Sequence, residues 1–325
     1  MSNEADASTR PRSRARRIWT WILGVLAVLI VLVAGAAFWF LWTPSVDEPD
    51  LAADVGPGSV AVDGTDRDYL AVTPEDLPDG APLLIWYSGS GEDAAGARES
   101  TGYRFDELAV EDGFAVAYPE GYENTFNDCR AEGDYPSQTE DVDDVAFTLA
   151  LIDQMAADHG IDTDQVYVGG YSNGGHMAMR MAAEAPDAVA GTATVAATTP
   201  VEDNWDCAGP SEPVPAMFVT GTDDGVNPYE GGTIRAGGGD AGEAMSAVDG
   251  AAYWAGLNGA TGPTETAVSD DVTELAWTGD APVVLDTVDG GGHTVPNPNA
   301  RAIRALGSTS DWDAPAAIVE FFGLA

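Results

Sequence analysis

The chain has 325 residues, with 54 aspartates and glutamates set against 13 arginines and no lysine, for a formal net charge of -41 at pH 7. So acidic a surface repels polyphosphate and excludes nucleic acid as a partner. It also repels itself, so salt is expected to stabilise the folded state by screening.

Arg10, Arg12, Arg14, Arg16 and Arg17 precede an uncharged stretch, residues 18–42. At about 1.5 Å per residue such a stretch crosses a bilayer core of about 30 Å. Trp19 and Trp21 at one end, and Trp39 and Trp42 at the other, fit interfacial aromatic belts. The arginines on one side, with Asp47, Glu48, Asp50 and Asp54 on the other, orient the segment with its amino end in the cytoplasm. The organisation expected is a basic cytoplasmic tail (1–17), a transmembrane signal-anchor (18–42), a linker containing Pro44, Pro49 and Pro57 (43–64), and one extracytoplasmic domain (65–325). A cleaved signal peptide, giving a secreted protein, is the alternative. Ala34-Gly35-Ala36 resembles a cleavage site, but the apolar run continues through Trp42, longer than a usual signal core.

Apolar runs at 83–87, 114–118, 166–168, 189–195, 217–220 and 283–285 read as strands buried on both faces. Helical patterns lie between them. One has Thr139 as N-cap, Glu140 and Asp141 in its first turn, and Val142, Val145, Ala146, Leu149, Ile152 and Ala156 on its apolar face, and it stops at Gly160. This alternation predicts an α/β fold with a mostly parallel, doubly wound sheet. The acid run Glu140-Asp141 with Asp143-Asp144 reads as a solvated helix face; no histidine or cysteine accompanies it, and no metal site or cofactor is expected. Cys129 and Cys207 are the two cysteines, which in an extracytoplasmic domain predicts one disulfide between them.

Gly170-Tyr171-Ser172-Asn173-Gly174 is a G-x-S-x-G sequence between the run Val166-Tyr167-Val168 and the helix former Met177-Ala178-Met179-Arg180-Met181. A strand-to-helix turn of this kind exposes the serine Oγ at the carboxyl end of a sheet, so Ser172 is the candidate nucleophile. A serine needs a base, and the chain has three histidines. His159 ends a helical pattern and His176 follows Ser172 on the outgoing helix, so both read as structural. His293, in Gly290-Gly291-Gly292-His293 after a strand, stands where a catalytic imidazole is carried on a loop. Ala216-Met217-Phe218-Val219-Thr220-Gly221-Thr222-Asp223-Asp224 ends a buried strand in two aspartates that lie between Ser172 and His293 in sequence, and spacing alone leaves Asp223 and Asp224 equivalent as the orienting acid.

From about Arg67 onward the chain resembles the polyhydroxybutyrate depolymerase and feruloyl or acetylxylan esterase group of α/β-hydrolases. The resemblance is carried by Arg67-Asp68-Tyr69-Leu70, Ala117-Tyr118-Pro119-Glu120-Gly121, Gly170-Tyr171-Ser172-Asn173-Gly174-Gly175, Gly221-Thr222-Asp223-Asp224, Pro228-Tyr229-Glu230-Gly231, Tyr253-Trp254-Ala255 and Gly291-Gly292-His293-Thr294. In that pattern the last residue of Gly-Thr-x-Asp is the triad acid, which implies Asp224. The same resemblance implies backbone oxyanion donors at Asn173 and Ser90. Two departures stand out. Ser88 replaces the family histidine in Tyr87-Ser88-Gly89-Ser90-Gly91, and Phe126 replaces a common tryptophan in Phe126-Asn127-Asp128-Cys129, a segment expected to border the substrate cleft.

The expectation is an extracytoplasmic serine esterase acting through Ser172, His293 and Asp224 on a carboxylic ester, either a polysaccharide acetyl or feruloyl ester or a hydroxyalkanoate oligomer. A catalytically weak binding protein for a cell-surface glycan or polyester is the alternative, and an acyltransferase a narrower one.

Overall fold

A computed structural model of the chain describes residues 12–41, 45–209, 211–236, 239–299 and 304–325. The chain divides into two units, one around the amino-terminal helix and one containing nearly all the rest. Helix α1 spans Arg12–Leu41, and its segment Ile18–Trp39 is long and apolar enough to cross a membrane. The described side chains along it are exposed. Arg10 and Trp42 lie outside the described residues.

The larger unit is built on strands β1 (Ala53–Val62), β2 (Thr65–Pro74), β3 (Leu83–Tyr87), β4 (Ala115–Pro119), β5 (Val166–Tyr171), β6 (Gly191–Val195), β7 (Ala216–Gly221), β8 (Gly232–Ala236), β9 (Gly239–Ala244), β10 (Thr261–Ala267), β11 (Val272–Thr278) and β12 (Val283–Val288). Its helices are α2 (Ala94–Ser100), α3 (Arg104–Asp112), α4 (Pro136–Thr139), α5 (Asp144–His159), α6 (Asn173–Glu184), α7 (Ala247–Leu257) and α8 (Ala314–Phe321). Among the described residues, ten strands form one sheet in the order β1-β2-β4-β3-β5-β6-β7-β12-β11-β10, while β8 and β9 form a separate hairpin. The strands from β4 to β12 run parallel through the middle of the sheet, and antiparallel strands close both edges.

The central strands are apolar throughout because helices cover both faces. Leu83, Ile85 and Tyr87 of β3 point into a core shared with Phe147, Leu151 and Met155 of α5, Met177 and Met181 of α6, and Trp254 of α7. Leu84 and Trp86 point the other way, into a core made with Phe105 and Leu108 of α3 and Ile318 and Val319 of α8. This is the doubly wound α/β arrangement that the alternation of patterns predicted.

Two sequence expectations are corrected. Residues 43–64 are not all linker, since 53–62 form β1, paired in register with β2 from Ala53↔Pro74 to Val62↔Thr65. Pro57 and the two flanking glycines masked the strand. Its place at the sheet edge tolerates the proline, and Gly58 is required because a Cβ there would be driven into the Tyr69 ring. The helix predicted from Thr139 starts instead at Asp144, with Asp143 as N-cap accepting the Ala146 N–H at 2.8 Å. Asp141 breaks the earlier pattern at a positive φ of 52°. The buried face turns accordingly to Phe147, Thr148, Leu151, Ile152 and Met155, with Leu149 exposed. Asp144, expected on a solvated face, is fully buried and bonded to Arg67 at 2.6 Å.

Candidate active site

Strands β5, β7 and β12 are parallel members of the central sheet, so the turns that follow them emerge at one edge. Ser172 follows β5 and opens α6, Asp224 follows β7, and His293 follows β12. The His293 Nε2 lies 2.9 Å from the Ser172 Oγ, and its Nδ1 lies 2.8 Å from the Asp224 Oδ2. All three side chains are buried, with Ser172 retaining 8 % exposure.

The turn that carries Ser172 is strained. Its φ of 56° and ψ of -117° put a non-glycine residue in the left-handed half of the map, at a typical cost of about 1–3 kcal/mol. The glycines on either side are needed for close contact. A Cβ on Gly170 would strike the Gly174 carbonyl, and one on Gly174 would strike the Tyr87 carbonyl. Packing of α6 against β5 and β3 at this closeness is what holds the serine out of the ordinary backbone range.

The acid and histidine loops are stitched together by main-chain contacts. Asp223 donates its N–H to the Gly291 carbonyl at 2.8 Å, and Gly290 donates to the Thr222 hydroxyl at 2.8 Å. A side chain at Gly221 would collide with the Gly291 carbonyl. These bonds separate the two aspartates: Asp223 is turned to solvent, whereas Asp224 is buried, its Oδ1 accepting the Val226 and Asn227 N–H groups at 2.8 Å each. Tyr171, beside the nucleophile, donates its hydroxyl to the His293 carbonyl at 2.8 Å and lays its ring 5.1 Å from the imidazole. Burial, then the nearby Glu92 and Asp224 charges, hold the Tyr171 phenol well above its ordinary range, so it stays a donor. Sequence reasoning missed this role, although Tyr171 sits inside the G-x-S-x-G motif.

His159 ends α5, and His176 is buried beneath the nucleophile turn, each as expected. The His176 ring nitrogens lie 3.1 Å from the Ser172 carbonyl and 3.0 Å from the Thr198 carbonyl. Burial, then the Arg130 charge, push its pKa down to about 4, so the ring is neutral at neutral pH and takes no part in the chain of bonds to Ser172 Oγ.

Asn173 opens α6, where backbone N–H groups have no acceptor within the helix. Ser90 lies exposed on the loop after β3, and its Oγ accepts from the Tyr135 hydroxyl at 3.2 Å. Ser88 is buried, its hydroxyl turned within the same loop to the Glu92 carbonyl at 3.0 Å. The segment around Phe126-Asn127-Asp128-Cys129, expected at the cleft border, is buried against Asn173, whose side chain bonds to the Phe126 backbone and to Asp128. Cys129 is joined to Cys207 in a disulfide with a Cα–Cα distance of 5.2 Å. Among the described residues no group of three or more His, Cys, Asp or Glu side chains is arranged to hold a metal ion.

The family model BD-FAE matches residues 72–208, a span that includes Ser90, Ser172 and Asn173 and ends before Asp224 and His293. The chain is 33% identical over 194 residues to a protein of Nocardia uniformis subsp. tsuyamanensis named as an esterase, NocK, covering 58% of this chain and 54% of the relative. It is 30% identical over 217 residues to feruloyl esterase B of Piromyces equi, covering 66% of this chain and 39% of that one. It thus spans about half or less of the length of these relatives. A poly(3-hydroxyalkanoate) depolymerase C of Paucimonas lemoignei is 34% identical over 124 residues, 38% of this chain and 29% of the depolymerase. In fold, an acetyl xylan esterase from Aspergillus awamori superposes with a TM-score of 0.56 at 17% identity, over 83% of this chain and all of that one. The chain therefore has an α/β-hydrolase-like fold and is similar in sequence to proteins named as esterases, a feruloyl esterase and a poly(3-hydroxyalkanoate) depolymerase.

Proposed function

We propose that the chain is a serine esterase that hydrolyses carboxylic esters outside the cytoplasm, tethered to the membrane by α1. The observation that carries this reading is the continuous chain of short contacts from Ser172 Oγ through His293 to Asp224. In the proposed reaction His293 Nε2 takes the Ser172 proton as Oγ attacks the ester carbonyl. Asp224 keeps the Nδ1–H tautomer in place and favours the imidazolium that forms. Backbone N–H groups of Asn173 and Ser90 receive the developing oxyanion. Collapse of the tetrahedral species releases the alcohol, which leaves with the proton from His293. Water, deprotonated by the same imidazole, then cleaves the acyl-enzyme to give the free acid and restores Ser172.

Relatives named as a feruloyl esterase, a bifunctional acetylxylan esterase/xylanase and a poly(3-hydroxyalkanoate) depolymerase support a substrate class of acetyl or feruloyl groups on a polysaccharide, or hydroxyalkanoate oligomers. The basic residues before α1, its apolar length and the acidic stretch after it support an anchor with the hydrolase domain outside. A secreted form after cleavage is the alternative topology.

The test is fluorophosphonate labelling of the full chain in detergent, comparing wild type with Ser172→Ala by peptide mass. One adduct on Ser172, absent from the variant, together with hydrolysis of p-nitrophenyl acetate, is the expected result. Folded wild type that takes no adduct and hydrolyses no ester would sink the esterase reading in favour of a binding protein on a hydrolase fold.

A further inference from the structure

One buried polar network runs beneath the nucleophile turn and touches both residues assigned as oxyanion donors. Asn173 follows the nucleophile, and its side chain is used up in clamping the chain below. Its Oδ1 accepts the Phe126 N–H at 2.8 Å, while its Nδ2 donates to the Phe126 carbonyl at 2.9 Å and to Asp128 Oδ2 at 2.7 Å. Asp128 in turn accepts the Arg130 backbone N–H and Nε at 3.0 Å, Arg130 Nη2 at 2.5 Å and Gln138 Nε2 at 3.0 Å. The Arg130 guanidinium lies 5.3 Å from the Tyr135 ring centre, and the Tyr135 hydroxyl donates to Ser90 Oγ at 3.2 Å. Asn173, Asp128 and Arg130 are 1 %, 4 % and 4 % exposed. Cys129, between the two charged residues, is tied to Cys207.

A buried ion pair is a poor device for stability alone, because desolvating two charges offsets most of their attraction. Here it is also awkwardly sited for a reaction that builds negative charge, since an unpaired carboxylate against Asn173 would oppose the oxyanion. Burial by itself would push the Asp128 carboxyl up, but Arg130 outweighs it and holds the group below the ordinary carboxylate range. Asp128 therefore stays an acceptor for Asn173 through Oδ2, the same oxygen to which Arg130 Nη2 donates and so cancels its charge.

We propose that Asp128 and Arg130, with Tyr135, form a brace that positions both oxyanion donors, fixing the Asn173 amide through its side chain and the Ser90 loop through its hydroxyl. The brace rests on the esterase reading. Its members are positioning residues: none takes a proton or bonds to substrate.

The test measures p-nitrophenyl acetate hydrolysis and phenylboronic acid inhibition for the full chain in detergent, with active sites counted by fluorophosphonate. The variants are Asp128→Asn, Arg130→Gln, the double variant and Tyr135→Phe. A boronate mimics the tetrahedral intermediate, so its affinity reports on the oxyanion donors. For Asp128→Asn we expect kcat to fall roughly 10–100-fold per active site, KM to stay within about threefold, and boronate affinity to fall in parallel with kcat. The double variant should lose no more than the worse single variant, because the two residues act as one unit. Tyr135→Phe keeps the ring over Arg130 and removes the hydroxyl that meets Ser90 and Arg130 without deleting either charge, so it should fold normally and lose kcat and boronate affinity together by a few-fold. Folded variants with wild-type kcat and boronate affinity, or with a change in KM alone, would overturn the brace while leaving the esterase reading intact. If the charge variants do not fold, an unchanged Tyr135→Phe overturns it. Wild type without ester hydrolysis removes both proposals.

Discussion

Asp224 binds His293 with one carboxylate oxygen at 2.8 Å and spends the other on the Val226 and Asn227 N–H groups, so the acid is fixed in its own loop before it orients the imidazole. Its neighbour Asp223 contributes to the site only through its main chain. Asp224→Asn is therefore expected to lower kcat by about 10³–10⁴ through the wrong imidazole tautomer. Asp223→Asn should leave turnover largely unchanged. Equal losses in the two variants, measured on p-nitrophenyl acetate, would show that the assignment of the acid is wrong.

Asp286, in the middle of β12, faces Glu274 across the antiparallel pair with β11, and its buried Oδ1 has no hydrogen-bond partner. Burial, then the Glu274 charge, push its pKa up to about 7. The sign follows directly: between roughly pH 4 and 7 the folded state holds a proton that the unfolded chain has lost, so stability falls as pH rises through that window. Asp286→Asn removes this dependence. Relative to wild type, the variant should gain stability from pH 4 to 8, by an amount on the order of 4 kcal/mol at most. Denaturant titrations of both proteins across that range would check it, and parallel curves would refute it.

With a net charge of -41 and no lysine to offset it, the molecule repels itself at every separation that solvent leaves unscreened. Raising sodium chloride from about 0.1 M to 1 M shortens the screening length from about 10 Å to 3 Å. The melting temperature should rise steadily across that interval. A flat or falling curve in differential scanning fluorimetry would mean that the acidic side chains are already compensated within the fold.

The Cys129–Cys207 disulfide links residues 78 positions apart. Closing so long a loop contributes typically about 2–4 kcal/mol. Replacing both cysteines by serine should then lower the melting temperature by roughly 5–15 °C. Because Cys129 sits between Asp128 and Arg130, the variant should also lose turnover while still folded at 25 °C. Intact mass after alkylation, with and without reductant, checks the bond itself, and unchanged melting would remove its stabilising role.

The parallel centre of the sheet was legible because strands buried on both faces must be apolar at every position, as Leu83-Leu84-Ile85-Trp86-Tyr87 is. The flanking antiparallel strands were not. Along β10 the side chains are exposed, so its sequence carries no apolar pattern, and β1 hides behind glycines and Pro57. The pairing of Ser172 with His293 in space was legible because the chain holds three histidines and a glycine pair shaped for one turn. The choice of Asp224 over Asp223 needed the family pattern, and the physical reason is visible only once the Gly291 carbonyl is seen holding Asp223 outward. Asp128 and Arg130 carried a faint signal, two opposite charges around a cysteine in a chain with few arginines. Their meaning depends on Asn173, some 45 positions away.

The left-handed backbone at Ser172 separates two qualities that are usually measured as one. A glycine there would relax the turn and an alanine would not, although neither supplies a nucleophile. Ser172→Gly should outlast Ser172→Ala on heating by about 1 kcal/mol. A variant library ranked by heat resistance would thus favour, at its central residue, a substitution that removes the proposed nucleophile.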